Sequence, residues 1–185
     1  RHPHWLADGG RCHINISGAS VSNHDFHQFV LQLLQRYDVP GHRLCLEITE
    51  TAAMANLNDA WHFFEQVGAY GVSIALDDFG SGMSSFNYLR NLPADILKID
   101  GAFVREMAFE SRDYAVVRAI NEVAKALGKT TVAEFVENQE TRRLLRDLGV
   151  DFAQGFAIHE PEALDDLLAR GSFAWVAEPP PGGSN

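Results

Sequence analysis

The sequence predicts an α/β fold built on a parallel sheet, and two observations carry that prediction. Six short apolar segments rich in β-branched residues recur along the 185 residues, and amphipathic stretches with helical spacing separate them. The segments begin about 20 to 35 residues apart, which leaves room for a crossover helix between successive strands. Such an alternation is typical of right-handed βαβ units, whose strands pair in parallel.

The six predicted strands share a short, apolar and β-branched composition. They cover Cys12–Ser17, Leu44–Thr49, Val72–Asp77, Ile96–Asp100, Thr130–Val136 and Phe152–Phe156. Apolar stripes at helical spacing predict helices between them, over 26–34, 61–68 and 114–127.

Polar residues mark several helix ends in the sequence. Asn138 begins a further predicted helix that runs to Leu148, and Gly149 follows it as a residue suited to a helix C-terminus. Asp25 and Asn56 are expected near helix N-termini, where a side-chain oxygen accepts hydrogen bonds from free backbone N–H groups.

Composition favours one folded domain over residues 1–177, followed by a Pro/Gly-rich tail, 178–185, that reads as a linker or a frayed terminus. Hydrophobic residues make up 46% of the sequence, enough for a packed core. Fifteen Lys and Arg against twenty-five Asp and Glu give a net charge of −10. This charge repels a nucleic-acid polymer but leaves open a small phosphorylated ligand held through metal ions.

The cysteines and the hydropathy pattern predict a cytoplasmic domain. Cys12 and Cys45 lie 33 positions apart and form neither a zinc spacing nor a disulfide framework, which favours a reducing compartment. No apolar run approaches the roughly 20 residues of a membrane span, and the N-terminus lacks the apolar region of a signal peptide.

Polar residues interrupt each predicted strand toward its C-terminal end. They are Asn15, Glu47, Asp77 with Asp78, Lys98 with Asp100, Glu134 with Glu137, and Gln154. In a (β/α)8 barrel these ends converge on the face that carries the active site. Clustered carboxylates repel one another unless divalent cations lie between them, and oxygen ligands suit Mg²⁺ or Mn²⁺. The adjacent pair Asp77-Asp78 can supply both metals of a two-metal phosphoryl-transfer site.

Each of these positions has a structural alternative. A lone Asp at a strand end is more often a cap for the next helix, and a single Lys in a strand is more often an edge residue that reaches solvent. The segment 77–82, Asp-Asp-Phe-Gly-Ser-Gly, would by itself be a turn, because glycine permits positive φ, or a mobile loop near a phosphate. Recurrence in six successive strands favours a common site.

The eight histidines are expected to lie outside this acidic constellation. They form no HExxH pair, and His24 with His27, three positions apart on one helix, is a weak alternative metal site. The sequence also lacks a GxSxG elbow, a Walker loop and a GxGxxG turn.

Six motifs together resemble the EAL domain, the bacterial phosphodiesterase module that hydrolyses cyclic di-GMP to linear pGpG. In order, they are Asn15-Ile-Ser17, Glu47-Ile-Thr-Glu50, Asp77-Asp-Phe-Gly-Ser-Gly-Met-Ser-Ser85, Leu97-Lys-Ile-Asp100, Ala133-Glu-Phe-Val-Glu137, and Gln154-Gly-Phe156 with Pro161 after it. The resemblance covers nearly the whole chain. It implies a TIM-like (β/α)8 barrel with one antiparallel strand near its beginning.

The resemblance also implies two Mg²⁺ or Mn²⁺ ions and a set of metal ligands. Asn15, Glu47 and Asp77 would hold the first ion. Asp77, as a bridge, would hold the second together with Asp78 and Glu134. Water would attack phosphorus in line while both metals absorb charge on the phosphoryl oxygens.

The remaining motif residues receive catalytic or supporting roles from the resemblance. Lys98 would orient or help to activate the attacking water, and Asp100 and Glu137 would support it. Gln154 would contact water or phosphate near the metals. Glu50 would anchor the loop that follows Asp78, including Gly80, Ser81 and Gly82, which in this family links the site to dimer contacts.

The sequence departs from the family pattern in three places. Phe135 stands where the family usually has Gly, and Met83 where an aromatic residue is common. Phe135 is expected to point away from Glu134 by strand alternation and to alter packing behind the site. The first-strand motif Glu-Ala-Leu-x-Arg should lie well before Asn15, whereas Glu162-Ala-Leu164 is expected only to open the last helix.

The shortened beginning leads to expectations about this piece of chain. About six of eight βα units are present, so the barrel is expected to be incomplete at the N-terminus. Weak or no activity of the piece is expected, because the missing strand would supply a metal-ligand Glu and a substrate-binding Arg. Unpaired strand edges predict a neighbouring chain, a swapped segment or a longer native chain.

Two other functions remain as alternatives to a phosphodiesterase: a non-catalytic cyclic di-GMP receptor or dimerising regulatory module, and an unrelated metal-dependent barrel hydrolase. The resemblance further implies a homodimer and N-terminal sensory or GGDEF (diguanylate cyclase) domains in the parent protein, through which the parent could attach to a membrane.

Overall fold

A computed structural model describes residues 11–82 and 86–169 of the chain. These residues fall into two units, 11–160 and 161–169. The predicted tail, 178–185, lies outside the described residues, as do the last residues of the predicted domain.

Six strands form a single sheet in the first unit. They are β1 (Cys12–Asn15), β2 (Leu44–Thr49), β3 (Ser73–Phe79), β4 (Ile96–Ile99), β5 (Thr130–Ala133) and β6 (Phe152–Ala153). Their order across the sheet is their order along the chain, and all five pairings are parallel. This is the wall of an incomplete TIM-like barrel, as predicted. The antiparallel strand that the resemblance implies is not among the described residues.

Helices follow the strands in the same unit. They are α1 (Gly18–Val21), α2 (His24–Arg36), α3 (Glu50–Ala55), α4 (Leu57–Gly68), α5 (Phe86–Leu89), α6 (Gly101–Val104), α7 (Ser111–Ala126) and α8 (Gln139–Asp147), with a 3₁₀ turn at Gly41–Arg43. The four predicted helices are confirmed as α2, α4, α7 and α8. The sequence does not predict the short helices α1, α3 and α6, which begin within three positions of the end of a strand.

Several strands end earlier than their apolar runs suggest, because the next residues cap helices. The Ser17 hydroxyl accepts a hydrogen bond from the Ser20 N–H at the start of α1, and Asp100 caps α6. β5 stops at Ala133, two residues before Phe135 adopts φ +52°. β3 instead continues to Phe79, and its register with β4 shifts between Leu76 and Phe79.

The predicted helix caps are partly confirmed. Asn138 accepts a hydrogen bond from the Thr141 N–H at 2.8 Å, and Gly149 has φ +72° after α8. Asn56 is the N-cap residue of α4 but makes no side-chain capping bond. Asp25 lies in the first turn of α2, whose cap is Asn23.

The two faces of the sheet have different contents, and this difference positions the site. The face toward the helices carries the large core, which includes Phe63, Phe64, Ile74, Leu76, Leu97, Ile99, Val117 and Ile120. The opposite face carries the smaller cluster of Cys45, Ala75, Ile96 and Val132. Side chains alternate between the two faces along a strand, so the residue two places after each of these four lies on the same face as that residue. Those residues are Glu47, Asp77, Lys98 and Glu134.

The second unit contains α9 (Leu164–Ala169). The triplet Glu162-Ala-Leu164 leads into this helix as predicted, with Leu164 as its first helical residue. Among the described residues, no helix combines the length and the apolar character that a membrane crossing requires.

Candidate functional site

Lys98 lies at the centre of the carboxylate cluster. Its Nζ is 2.9 Å from Glu47 Oε2, 2.7 Å from Asp77 Oδ1 and 2.8 Å from Glu134 Oε1. The lysine side chain is 4% exposed, so these contacts replace the water it has lost. Strands β2, β3 and β4 and the residue just after β5 therefore deliver their charged groups to one point, as predicted.

Glu47 is held from two sides. Its Oε2 accepts from Lys98, and its Oε1 lies 2.6 Å from His13 Nδ1. Burial alone would raise the pKa of Glu47, but hydrogen bonds from His13 and Lys98 outweigh burial and lower it. The expectation that all histidines lie outside the acidic constellation is therefore wrong for His13.

The neighbouring carboxylates Asp77, Asp78 and Glu134 can converge on one ion. An oxygen from each lies within 4.8 Å of the others. Asp78 is turned into this group by a left-handed backbone, with φ +53°. Three carboxylate oxygens in this arrangement are the donor set that divalent hard cations take.

The charges of the cluster do not balance. Within residues 11–82 and 86–169, Lys98 is the one ammonium facing Glu47, Asp77, Asp78 and Glu134, so three negative charges remain when all four carboxylates are ionised. Burial raises the pKa of Glu134, the charge of Asp77 adds to this, and Lys98 opposes it. Burial together with Asp77 and Asp100 raises the pKa of Asp78. Additional positive charge would relieve both, so the residues present fit divalent cations.

The pKa of Lys98 is also raised, but here the neighbouring carboxylates are the cause. Burial alone would lower its pKa, but hydrogen bonds to Asp77, Glu134 and Glu47 outweigh burial and raise it. An ammonium has three N–H donors, and all three are directed to carboxylates here.

The loop after Asp78 is tied to Glu50, which is 3% exposed. Glu50 Oε2 accepts from the Gly80 N–H at 3.1 Å, and Glu50 Oε1 accepts from the Tyr88 hydroxyl. The Ser81 hydroxyl donates to the Asp78 carbonyl at 2.9 Å. A Cβ added to Gly82 would lie 3.8 Å from Glu50 Oε2, so this glycine also passes close to the glutamate.

The other predicted site residues lie around the cluster without joining the contacts of Lys98. Asn15 is directly opposite Glu47 in the β1–β2 register and is exposed. Asp100 caps α6 through a 2.8 Å hydrogen bond from the Ala102 N–H, which is the structural alternative for a lone Asp. Glu137 is exposed and pairs with Arg105 at 3.6 Å. Gln154 is exposed, and its backbone pairs with Ala133 and Val136.

Phe135 follows Glu134 beyond the end of β5, so strand alternation does not set the direction of its side chain. Its φ of +52° is a conformation that favours glycine, which is the physical reason for Gly at this position in the family pattern. The ring lies against Gly101, where an added Cβ would come within 2.1 Å of Phe135 Cδ2. The Arg105 guanidinium lies 4.2 Å from the ring centroid. Met83 lies outside the described residues.

His24 and His27 do not form a metal pair. His27 is buried, its Nε2 contacts the Val21 carbonyl at 2.6 Å, and its ring stacks on Phe63 at 4.3 Å. Sequence reasoning missed His13, Tyr88 and Arg105 as neighbours of the site. For His13 a signal existed, because it precedes Asn15 by two positions and so shares a strand face with it.

Comparison with known proteins places this geometry in a family. The EAL domain matches over residues 3–161. Cyclic di-GMP phosphodiesterase PdeB of Shewanella oneidensis is 44% identical over 151 residues, which cover 82% of this chain and 18% of PdeB. The bifunctional diguanylate cyclase/cyclic di-GMP phosphodiesterase MucR of Pseudomonas aeruginosa is 38% identical over 169 residues, 89% of this chain and 24% of MucR. The solved structure of PaMucR phosphodiesterase in complex with c-di-GMP superposes with a TM-score of 0.82 at 36% identity, over 89% of this chain and 68% of that one.

Fold and site thus define an α/β barrel protein with a carboxylate cluster at the C-terminal ends of its strands. The chain belongs to the EAL domain family. It spans about a fifth of the length of the curated relatives it matches.

Proposed function

We propose that the protein containing this chain is a phosphodiesterase that hydrolyses cyclic di-GMP to linear pGpG. The observation that carries this proposal is the convergence of Glu47, Asp77 and Glu134 on Lys98, with Asp78 beside them. The names of the relatives PdeB and MucR, and the ligand in the PaMucR structure, support the choice of substrate. In the reaction, a water oxygen bonds to phosphorus, one phosphorus–oxygen ester bond breaks, and the leaving oxygen takes a proton.

The metal requirement belongs to this proposal. Two Mg²⁺ or Mn²⁺ ions would be held by oxygens of Asn15, Glu47, Asp77, Asp78 and Glu134. When bound, they would supply positive charge to the phosphoryl oxygens and to the attacking water. Because the carboxylate oxygens outnumber the cations of the chain at this point, an anionic dinucleotide needs that charge in order to approach.

Lys98, Glu134 and Asp100 are the groups to which we assign work on the water or its surroundings. All three Lys98 donors face carboxylates, so orienting a water requires that one of these contacts be released. Asp100 fixes the start of α6, and Glu137 holds Arg105, so both would support the site by position. Gln154, just after β6, would contact phosphate or water near the metals.

The loop of Gly80, Ser81 and Gly82, with Glu50 as its anchor, would carry the state of the site to a homodimer contact. A GGDEF or sensory domain N-terminal to this chain fits the relative MucR, whose name combines a diguanylate cyclase with a cyclic di-GMP phosphodiesterase. The homodimer and the N-terminal domain are both part of the proposal. A cytoplasmic location is likewise proposed.

The proposal is tested by cyclic di-GMP turnover in the protein that contains this chain, with Mg²⁺ present. Glu47→Ala is expected to abolish formation of pGpG, because it removes a proposed ligand and a Lys98 partner. Glu65→Ala, at an exposed glutamate of α4, is the matched control and keeps the activity. Undiminished turnover in the Glu47 variant would refute the assignment. Tight cyclic di-GMP binding without turnover, unaffected by Mg²⁺, would identify a receptor instead.

A further inference from the structure

His13 contacts the carboxylate cluster through Glu47, although it is not one of the proposed metal ligands. It lies on β1 opposite Cys45, and it reaches diagonally across the β1–β2 pair to Glu47. Its side chain is 40% exposed, so burial alone does not account for its orientation. The contact from Nδ1 to Glu47 Oε1 is 2.6 Å, at the short extreme for a nitrogen donor bonded to an ionised carboxylate.

The two oxygens of Glu47 have different partners. Oε2 shares the Lys98 ammonium with Asp77 and Glu134, whereas Oε1 faces the imidazole of His13. A glutamate has three side-chain torsions, and a contact at one oxygen leaves rotation about the carboxylate free. Contacts at both oxygens fix the plane of the carboxylate, which determines the direction of its lone pairs.

We propose that His13 is a positioning residue that fixes the carboxylate plane of Glu47 for cation binding by donating a hydrogen bond from Nδ1. The inference rests on the proposed function, because it treats Glu47 as a metal ligand. Groups that orient a metal ligand through a hydrogen bond commonly change metal affinity 10- to 100-fold when removed.

The proposal also assigns a tautomer. A carboxylate in an ion pair with Lys98 can only accept hydrogen bonds, so the His13 nitrogen that faces it must carry hydrogen. The neutral imidazole of His13 is therefore protonated at Nδ1 and bare at Nε2. This property belongs to the chain without any ion, and it can be measured without substrate.

The first experiment is ¹⁵N NMR of the imidazole nitrogens at pH 8, in the absence of divalent cations. The expected result is a protonated Nδ1 for His13. A bare Nδ1 would overturn the proposal, because that nitrogen would then repel Glu47. No variant is needed, so this arm does not depend on the folding of a mutant.

The second experiment measures Mn²⁺ binding from the loss of the free-ion paramagnetic resonance signal. His13→Ala is expected to weaken binding about tenfold. His13→Asn is expected to recover most of the affinity, because the asparagine amide places a donor near the site of Nδ1. His42→Ala is the matched control: this exposed histidine lies in the 3₁₀ turn before β2, at the opposite end from Glu47, and its loss leaves Mn²⁺ affinity unchanged.

The outcomes separate the inference from the proposed function. Equal Mn²⁺ affinity in His13→Ala and the unaltered chain would overturn the inference and leave the metal site intact. An asparagine variant as weak as the alanine variant would also overturn it, because the donor would then not be what matters. A failure of the unaltered protein that contains this chain to bind Mn²⁺ would refute the proposed metal site and the inference with it.

Discussion

Carboxylates lie at both ends of the parallel sheet, and the two ends surround them differently. At the N-terminal end, Asp151 precedes β6, accepts from the Thr131 N–H at 2.8 Å and pairs with Lys125 at 2.6 Å. Asp95 precedes β4 and accepts from the Ile74 N–H at 2.8 Å. Burial alone would raise the pKa of Asp151, but hydrogen bonds from Lys125 and Thr131 outweigh it and lower it. Asp151 thus links the start of β6 to β5, and Asp95 links the start of β4 to β3.

At the C-terminal end the carboxylates outnumber their cation. Burial raises the pKa of Glu134 and of Asp78, and the charge of Asp77 adds to both shifts. The same residue types therefore serve two purposes. An aspartate that accepts enough hydrogen bonds stabilises the fold. A cluster with excess negative charge is instead suited to a ligand that brings positive charge.

The backbone shows the same contrast. Gly71, Gly128 and Gly149 supply the positive φ at turns that lead into β3, β5 and β6, and Asp38 is an exception before β2. At the C-terminal end, Asp78 and Phe135 adopt φ of +53° and +52° with a Cβ present. Such conformations cost about 1 kcal/mol or more per residue. Two of the three non-glycine residues with positive φ in the described part of the chain thus lie at the candidate site.

The largest expected effect concerns Lys98 at the C-terminal end of the sheet, in comparison with Lys125, which pairs with Asp151 at the other end. Lys98→Met is expected to lower the free energy of unfolding by about 3 kcal/mol, because it leaves buried carboxylates without their ammonium. Lys125→Met, at an exposed ion pair, is expected to cost less than about 1 kcal/mol. Urea unfolding without divalent cations measures both. Equal losses would remove the distinction drawn between the two ends.

A second pair of variants should change stability in opposite directions. Asp151→Asn is expected to lower the free energy of unfolding by about 1.5 kcal/mol, because charge-assisted hydrogen bonds are lost. Asp78→Asn is expected to raise it by about 0.5 kcal/mol, since like-charge repulsion falls while asparagine tolerates the left-handed backbone. The Asp78 variant should lose Mn²⁺ binding. Destabilisation by both substitutions would contradict the comparison.

The pH dependence of the Asp151 contribution has a definite sign. The folded state lowers the pKa of Asp151. The contribution of Asp151 to stability is therefore complete above its pKa in the unfolded chain, about 4, and is lost as pH falls through its pKa in the folded state. The stability difference between the unaltered chain and Asp151→Asn should be constant above about pH 5 and shrink below about pH 4. Denaturant titrations of both proteins across this range test the sign. A difference that grows toward acid pH would be incompatible with it.

The last pair of variants concerns strain at Phe135. Phe135→Ala loses the ring but keeps a Cβ at positive φ, whereas Phe135→Gly also relieves the backbone. The glycine variant should therefore be about 1 kcal/mol more stable than the alanine variant. Thermal unfolding of the two variants measures the difference. The reverse order would show that position 135 is not strained.

Sequence patterns predicted the features of this chain that depend on periodicity. Alternation and strand ends predict the six strands, their parallel order and the convergence of Glu47, Asp77, Lys98 and Glu134. The Asn138 cap follows from the residue types that favour helix N-termini. Contacts that depend on local dihedral angles did not follow. The packing of Phe135 on Gly101 requires a positive φ that strand alternation does not predict. The contact of His13 with Glu47 depends on the β1–β2 register, which the positions of the histidines in the sequence do not reveal.

The chain-order sheet has a consequence for how such a protein diversifies. Glu47, Asp77, Lys98 and Glu134 each come from or just beyond a different strand, and the loops that follow them are separate segments. A mutation that lengthens or reshapes one loop leaves the neighbouring strands and their hydrogen-bond ladders in place. A change confined to one loop can therefore alter what meets the charged cluster, while the strand ends that carry Glu47, Asp77 and Lys98 stay in place.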